Sequence, residues 1–266
     1  MPEIVMCSRT SQGRRSANED SLCLGLTQAG WYAVIADGAG GHRRGDEASL
    51  RTVRAIEGMF DSASAAAFAP ETLSRIIANA HAELQRHQIP GNPAASMHST
   101  VVALWIDYRA CYALWAHVGD SRLYRIRHGL VDVVTSDDSV VQQMVAAGLI
   151  SRDQARHHPN KNQLVAALGI EGDVDPHTVV RPVELKEGDA YLLCSDGWWD
   201  ALDPMTLEST LEQSRTADEW LEVMAQRIEA LQSPRQDNYS AIAVWAGDPA
   251  RHGDDAQDDT VPRSGR

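Results

Sequence analysis

Cysteine is sparse and unpaired in this sequence. Cys7, Cys23, Cys111 and Cys194 are scattered with no CxxC pair, and three of them sit inside apolar runs. They read as buried free thiols of a reducing cytoplasm. No arginine stands six positions after any of them, since those places hold Gly13, Ala29, His117 and Asp200. The thiol-based phosphoryl-transfer loop, a Cys and an Arg separated by five residues, is therefore absent. Positive charge is also short: Lys+Arg 24 against Asp+Glu 37 gives a formal net charge of -13. That balance argues against nucleic acid or an anionic membrane as the main partner. No stretch approaches the roughly 18–20 apolar residues of a membrane span. The start, Met1 to Ser8, lacks a basic segment followed by an apolar core, so no secretory signal is expected.

What is present suffices for a full core. The chain has 266 residues and is 43% hydrophobic, enough for one large domain or two small ones. Gly45 to Phe60 places Val53, Ile56 and Phe60 on one helical face. A second helix is expected after Pro70, where Leu73, Ile76, Ile77, Ala80 and Leu84 keep a 3.6-residue period. Four strand-like segments follow: Ser99 to Asp107, Cys111 to Val118, Ser121 to Arg127 and Leu130 to Thr135. The turns between them suit an antiparallel meander. The first two are apolar almost throughout, so their sheet should be covered on both faces.

Ser139 to Ala147 returns to a helical pattern with Gly148 as its cap, and Ser151 to Lys161 is polar and loop-like. A strand over Ala190 to Ser195, a helix around Trp220, Met224, Ile228 and Leu231, and a strand over Tyr239 to Ala246 complete the pattern. The acidic run Asp254 to Asp259 and the last residues, Arg263 to Arg266, read as a disordered tail. No internal repeat is visible. This order predicts sheet packed on sheet with helices outside.

Four aspartates carry the chemical signal. Asp37 closes the run Trp31 to Ala36 and opens Gly38-Ala39-Gly40-Gly41-His42. Asp120 follows Cys111 to Gly119, Asp196 ends Ala190 to Ser195 before Gly197, and Asp237-Asn238 precedes Tyr239 to Trp245. A carboxylate at a strand end beside Gly or Asn is costly to desolvate. Four in the same context point to one oxygen-rich site for hard divalent cations. Carboxylates without Cys or clustered His favour Mg²⁺ or Mn²⁺ over Zn²⁺. Two such ions about 3.5–4 Å apart can share a bridging carboxylate and activate a water. Asp37 is the natural bridge, because Gly38 beside it lets backbone approach the metals and can offer its carbonyl as a ligand. Arg15-Ser16-Ala17-Asn18-Glu19-Asp20 adds acid beside a guanidinium, whose planar fork suits phosphate. Metals and an arginine together imply phosphoryl transfer to water.

These residues carry a family resemblance. Arg15 to Asp20, Asp37 to His42, Gly45 to Ser49, Ser99-Thr100, Val118-Gly119-Asp120-Ser121-Arg122, Leu193 to Trp198 and Asp237 to Ser240 occur in one order. In that order the chain resembles the PPM-type, or type 2C, metal-dependent protein serine/threonine phosphatases. The resemblance implies an α+β fold: a four-layer α-β-β-α sandwich of two mostly antiparallel sheets flanked by helices. The domain would span 1–247, with a flap-like segment at about 148–175 and the tail at 248–266. It implies that Asp37 bridges two Mn²⁺ or Mg²⁺ ions, with Asp196 and Asp237 completing the first site. The Gly38 carbonyl and, through water, Glu19 would hold the second ion. Asp120 would join Asp196 at a third, weaker site. Arg15 would clamp the substrate phosphate, and Asp20 would stand behind the ligands.

The implied activity is hydrolysis of phosphoserine and phosphothreonine by a metal-bridged hydroxide, without a phosphoenzyme, opposing a Ser/Thr kinase. The partner is then a phosphorylated protein, a kinase or its targets, met by a cytoplasmic, monomeric enzyme. Two departures stand out: Ala39 occupies a place where some relatives have His, and Asp137-Asp138-Ser139 replaces a common Asp-His-Ser. Two rivals share the fold: a phosphoprotein-binding regulator without turnover, and a phosphatase of small phosphoesters. Singly, Asp-Gly pairs are ordinary turns. His117 reads as a packed strand histidine, His157-His158 as solvated, and Trp198-Trp199 as core or cleft wall.

Overall fold

The computed structural model describes residues 2–39, 44–62, 67–89, 91–92, 96–133 and 135–249. The expectations for Gly40, Gly41, His42 and the tail beyond Pro249 lie outside the described residues. Strands are β1 (Ile4–Ser11), β2 (Asp20–Thr27), β3 (Gly30–Asp37), β4 (Val101–Asp107), β5 (Tyr112–Val118), β6 (Arg122–Arg127) and β7 (Leu130–Val133). After them come β8 (His177–Thr178), β9 (Val183–Glu184), β10 (Asp189–Cys194) and β11 (Tyr239–Ala246). Helices are α1 (Gly45–Ser62), α2 (Pro70–Arg86), α3 (Val140–Ala146), α4 (Arg152–Arg156), α5 (Asp196–Trp199), α6 (Pro204–Gln213) and α7 (Ala217–Ala230).

Two antiparallel sheets result, one ordered β1-β11-β10-β6-β7 and the other β2-β3-β4-β5-β8, with β9 also on β5. Side-chain alternation explains the layering. On β3, Ala33 and Ile35 face the partner sheet, meeting Leu193, Ile242 and Val244. Val34 and Ala36 face the other way, onto Ile56, Phe60, Ile76 and Leu84 of α1 and α2. On the opposite side, Leu192, Ala241 and Ala243 pack against Trp220, Met224 and Ile228 of α7. Three apolar layers between four layers of structure make the α-β-β-α sandwich. Truncating one of these core side chains to Ala costs about 2–5 kcal/mol.

Some local expectations differ. The four central strands form two hairpins in different sheets, β4–β5 in one and β6–β7 in the other. The switch falls at Gly119, whose φ of +97° belongs to the region glycine tolerates. Cys111 is a turn residue with φ +57°, so β5 starts one residue later than expected. Of the thiols, Cys194 is buried and the other three are half-buried, all free. Ser151 to Lys161 is not all loop, because Ser151 and Gln154 close a reciprocal capping box on α4. The structure adds a helix that the sequence pattern does not show, α6, started by the Asp203 side chain on Thr206 N.

Antiparallel register brings the chemical residues to one end. Asp20 faces Asp37 in β2–β3, Ser11 faces Tyr239 in β1–β11, and Cys194 faces both Ala241 and Arg122. Among the described residues, no helix is long and apolar enough to cross a membrane.

Candidate active site

The site is assembled where these strand ends meet, and hydrogen bonds tie the two sheets together there. The Ser195 hydroxyl, just past β10, donates to Asp20 Oδ2 at 2.7 Å and accepts from Ser240 N at 3.0 Å. Asp37 is fixed through its backbone: its N–H donates to Thr100 Oγ1 at 3.0 Å, and its carbonyl accepts from Thr100 N at 2.8 Å. Asp196 opens the one-turn helix α5 rather than a simple turn. The β1–β2 loop, carrying Arg15 and Glu19, is held by Asn238. Its Oδ1 accepts from Glu19 N at 2.9 Å, while Nδ2 donates to the carbonyls of Gln12 and Ala17 at 2.8 and 2.9 Å.

Glu19 and the Gly38 carbonyl converge on Gly45. A Cβ on Gly45 would lie 2.7 Å from Gly38 O and 2.8 Å from Glu19 Oε1. One on Gly38 would lie 2.0 Å from Gly45 O. The absence of side chains at both positions is therefore what lets this carbonyl and carboxylate come together. Arg15, rather than its neighbour Arg14, reaches Asp237 with its guanidinium. Asp120 is buried at the sheet switch, and its carbonyl accepts from Trp199 Nε1 at 2.8 Å.

Electrostatics set these acids apart from ordinary surface carboxylates. Burial pushes Asp37 well above the usual range, and Asp196, Asp20, Asp120 and Asp237 add repulsion. Burial likewise raises Asp196, with Asp120 and Asp237 next in effect. Asp120 is pushed up to about 7 by burial and then by Asp137, and Asp20 to about 6 by burial. Glu19 is raised by burial and then by Asp46. Negative charge gathered this way is what a divalent cation relieves. The donors are all oxygen, suited to Mg²⁺ or Mn²⁺. Among the described residues, however, no three or more His, Cys, Asp or Glu side chains are arranged to hold an ion as they stand. Asp20 is turned to Ser195 and Asp237 to Arg15. A carbonyl donor and retained waters fit this open set, as Mg²⁺ sites commonly use both.

The comparisons with known proteins agree with this architecture. The family model described as Protein phosphatase 2C matches residues 9–241. The chain belongs to the protein phosphatase 2C family. The serine/threonine phosphatase stp of Listeria monocytogenes is 32% identical over 241 residues, spanning 89% of this chain and 93% of that relative. The solved serine/threonine phosphatase of S. agalactiae superposes with a TM-score of 0.83 at 26% identity, covering 92% of this chain and 100% of that one. The catalytic domain of the serine/threonine protein phosphatase PstP, solved with two manganese ions, gives 0.77 at 26% identity, with 92% and 99% covered. With the family comes the activity: the chain is a protein serine/threonine phosphatase, a hydrolase of phosphoric monoesters.

Several residues that organise this phosphatase site had no assigned role in the sequence. Ser195, Asn238 and Thr100 lie inside the motifs, but their hydrogen bonds cross between elements far apart in the chain. Small polar residues beside the candidate acids are the available signal. The departure at Asp137-Asp138-Ser139 has a local explanation. Asp137 pairs with Arg122 at 2.7 Å, Ser139 caps α3, and Asp138 accepts from Gly119 N and from His177 Nε2 at 2.9 and 2.8 Å. His177 thus stands beside the position where the common pattern has histidine. His117 is buried against it, rings 5.0 Å apart, and Trp198 is core while Trp199 lines a groove beside the site.

Proposed function

We propose that phosphate ester hydrolysis takes place at the end of the sandwich where Glu19, Asp37, Gly38, Asp120, Asp196 and Asp237 gather, with Mn²⁺ or Mg²⁺ as cofactor. The observation that carries this reading is the set of carboxylates gathered at the strand ends, where desolvation and mutual repulsion raise Asp37, Asp120 and Asp196 and Arg15 balances Asp237. One ion would be held by Asp37 with Asp196 and Asp237, and a second by Asp37 with the Gly38 carbonyl and Glu19. Asp120 with Asp196 gives room for a third. Divalent ions bound here supply Lewis-acid charge and acidify water.

The chain's own residues do the remainder. Arg15 offers its guanidinium to the phosphoryl oxygens and offsets the charge that develops on them during in-line attack. Asp20, locked by Ser195, stands behind the ligands and keeps β2 and β10 in place. With Ala39 after Gly38, no histidine follows the Asp-Gly pair to protonate the leaving alkoxide, a part that falls to water held at the site or to another group.

The substrate is a phosphoprotein whose ester a Ser/Thr kinase has made, so the enzyme opposes such a kinase. One chain supplies every proposed site residue, which supports a monomer. Free thiols support a cytoplasmic setting. The decisive experiment is phosphate release from a phosphothreonine peptide, with and without Mn²⁺, for wild type and Asp37→Ala. Release that needs both the metal and Asp37 supports the assignment, and full metal-dependent turnover by Asp237→Asn would refute the first metal site. Peptide binding by folded, metal-loaded protein without release would favour a regulator.

A further inference from the structure

A groove of about 590 Å³ opens next to the carboxylate cluster, between α3, α4, the β6–β7 hairpin and the segment after α5. Trp199 joins it to the site: it lines the groove, ends the helix that Asp196 begins, and donates to the Asp120 carbonyl at 2.8 Å. Val141, Val145 and Leu202 add apolar lining. The carboxylates on the walls are already engaged. Asp137 takes both arms of Arg122 at 2.8 and 2.7 Å, Asp200 takes Lys161 at 2.7 Å, and Asp132 takes Arg125.

Two charges remain. Arg152 and Arg156, four residues apart on α4, line the groove, are exposed, and make no hydrogen bond or ion pair among the described residues. Arg156 lies near enough to Asp203 to help lower its pKa, but that carboxylate is already bonded to Thr206 N and Oγ1 at 2.8 and 2.7 Å. Like charges four apart on one helix face repel each other. Here they leave surplus positive charge over an apolar wall, on a chain whose formal net charge is -13.

We propose that this groove receives the polypeptide flanking the phosphorylated residue, and that Arg152 and Arg156 select an anionic side chain in it, a carboxylate or a second phosphate. The proposal rests on the phosphatase reading and names a substrate class for it. The apolar wall accepts the flanking chain, and guanidiniums with no hydrogen bond or ion pair among the described residues exchange water for an anion at little cost. Discrimination should appear in KM, because the contact is made equally in ground and transition states.

The test compares kcat/KM for a phosphothreonine peptide with neutral flanks against the same peptide carrying a glutamate at successive flanking positions. A third peptide carries phosphoserine at the best position, which separates the two anion sources. Wild type should prefer the best glutamate peptide by roughly fivefold through KM, and the doubly phosphorylated peptide by more. In R152E/R156E the ratio of acidic to neutral peptide should fall to unity or below, and R152K/R156K should keep much of it. Both residues are exposed, so melting curves should confirm folded variants. Hydrolysis of the neutral peptide with no glutamate preference at any position overturns the proposal and leaves the phosphatase reading standing. So does a preference that survives charge reversal. No phosphate release from any peptide would overturn the reading itself.

Discussion

Arg15 and Asp237 meet from opposite ends of the chain, the guanidinium of one on the carboxylate of the other. The pair links the proposed phosphate clamp to a proposed metal ligand. Arg15 is more than half exposed, with a side-chain exposure of 58%, so its fork can turn from Asp237 to an incoming phosphate once a cation takes over the carboxylate. Arg15→Ala should therefore lower kcat/KM by about 30-fold, the worth of one charge-assisted contact of about 2 kcal/mol. Metal affinity should hold or rise, because a competing cation has gone. Arg15→Lys should recover only part, lacking the planar fork. Steady-state kinetics with a manganese titration reads both quantities, and unchanged kcat/KM would remove Arg15 from the site.

Gly45 offers a test of the second ion that does not touch a ligand. A methyl group there meets the Gly38 carbonyl and the Glu19 carboxyl carbon, both at 2.7 Å. Glu19 can swing away, whereas the backbone carbonyl cannot. Gly45→Ala should keep the fold, since alanine suits the start of α1. It should raise the manganese concentration for half-maximal activity by about tenfold or more, an effect of 1.4 kcal/mol. Thermal melts and metal titration separate the two, and an unaltered metal requirement would dissociate Glu19 and Gly38 from ion binding.

The main acids are legible in the sequence because each interrupts an apolar run at its end. Asp37, Asp196 and Asp237 need only that pattern and their Gly or Asn neighbours. The two-sided burial of β4 is legible too, since Val101 to Ile106 has no polar residue to face water. The sheet switch at Gly119 is not, because glycine signals a turn without saying which sheet comes next. Helix α6 escapes since Leu207 and Leu211 are the only strongly apolar residues it buries, too few for a clear period. Ser195 and Asn238 escape for another reason. Their hydrogen bonds join residues up to 226 positions apart, and no local pattern records such a contact.

The buried acids predict an unusual pH response for the chelated protein. An unfolded aspartate titrates near 3.8, whereas folded Asp20 and Asp120 titrate near 6 and 7, with Asp37 and Asp196 also raised. The folded state therefore binds protons more tightly, and these groups lose stability for the protein as pH rises through about 4 to 7. In chelator, Tm should be higher near pH 5 than near pH 8 by several degrees, as about 1 kcal/mol moves a domain of this size by about 2–4 °C. Adding Mn²⁺ at pH 8 should recover the difference, because the cation then offsets the repulsion. A Tm that only falls on acidification in chelator would show that the carboxylates do not repel as the geometry implies.

Asn238 provides the sharpest test of how the loop bearing Arg15 and Glu19 is held. Its amide makes three hydrogen bonds to that loop, accepting from Glu19 N and donating to two carbonyls, all between 2.8 and 2.9 Å. The residue is 5% exposed, so water cannot readily replace what is lost. Asn238→Ala should cost about 2–3 kcal/mol of stability, as several backbone groups lose partners at once. If the bonds serve only packing, metal affinity and KM should stay put. If they aim Arg15 and Glu19, both should worsen together, and Asn238→Asp should fail to rescue them. A carboxylate can still accept from Glu19 N but cannot donate to Gln12 and Ala17, and it adds a charge beside Asp237. Denaturant melts, metal titration and peptide kinetics on the two variants decide, and intact kinetics in a destabilised Asn238→Ala would confine the residue to folding.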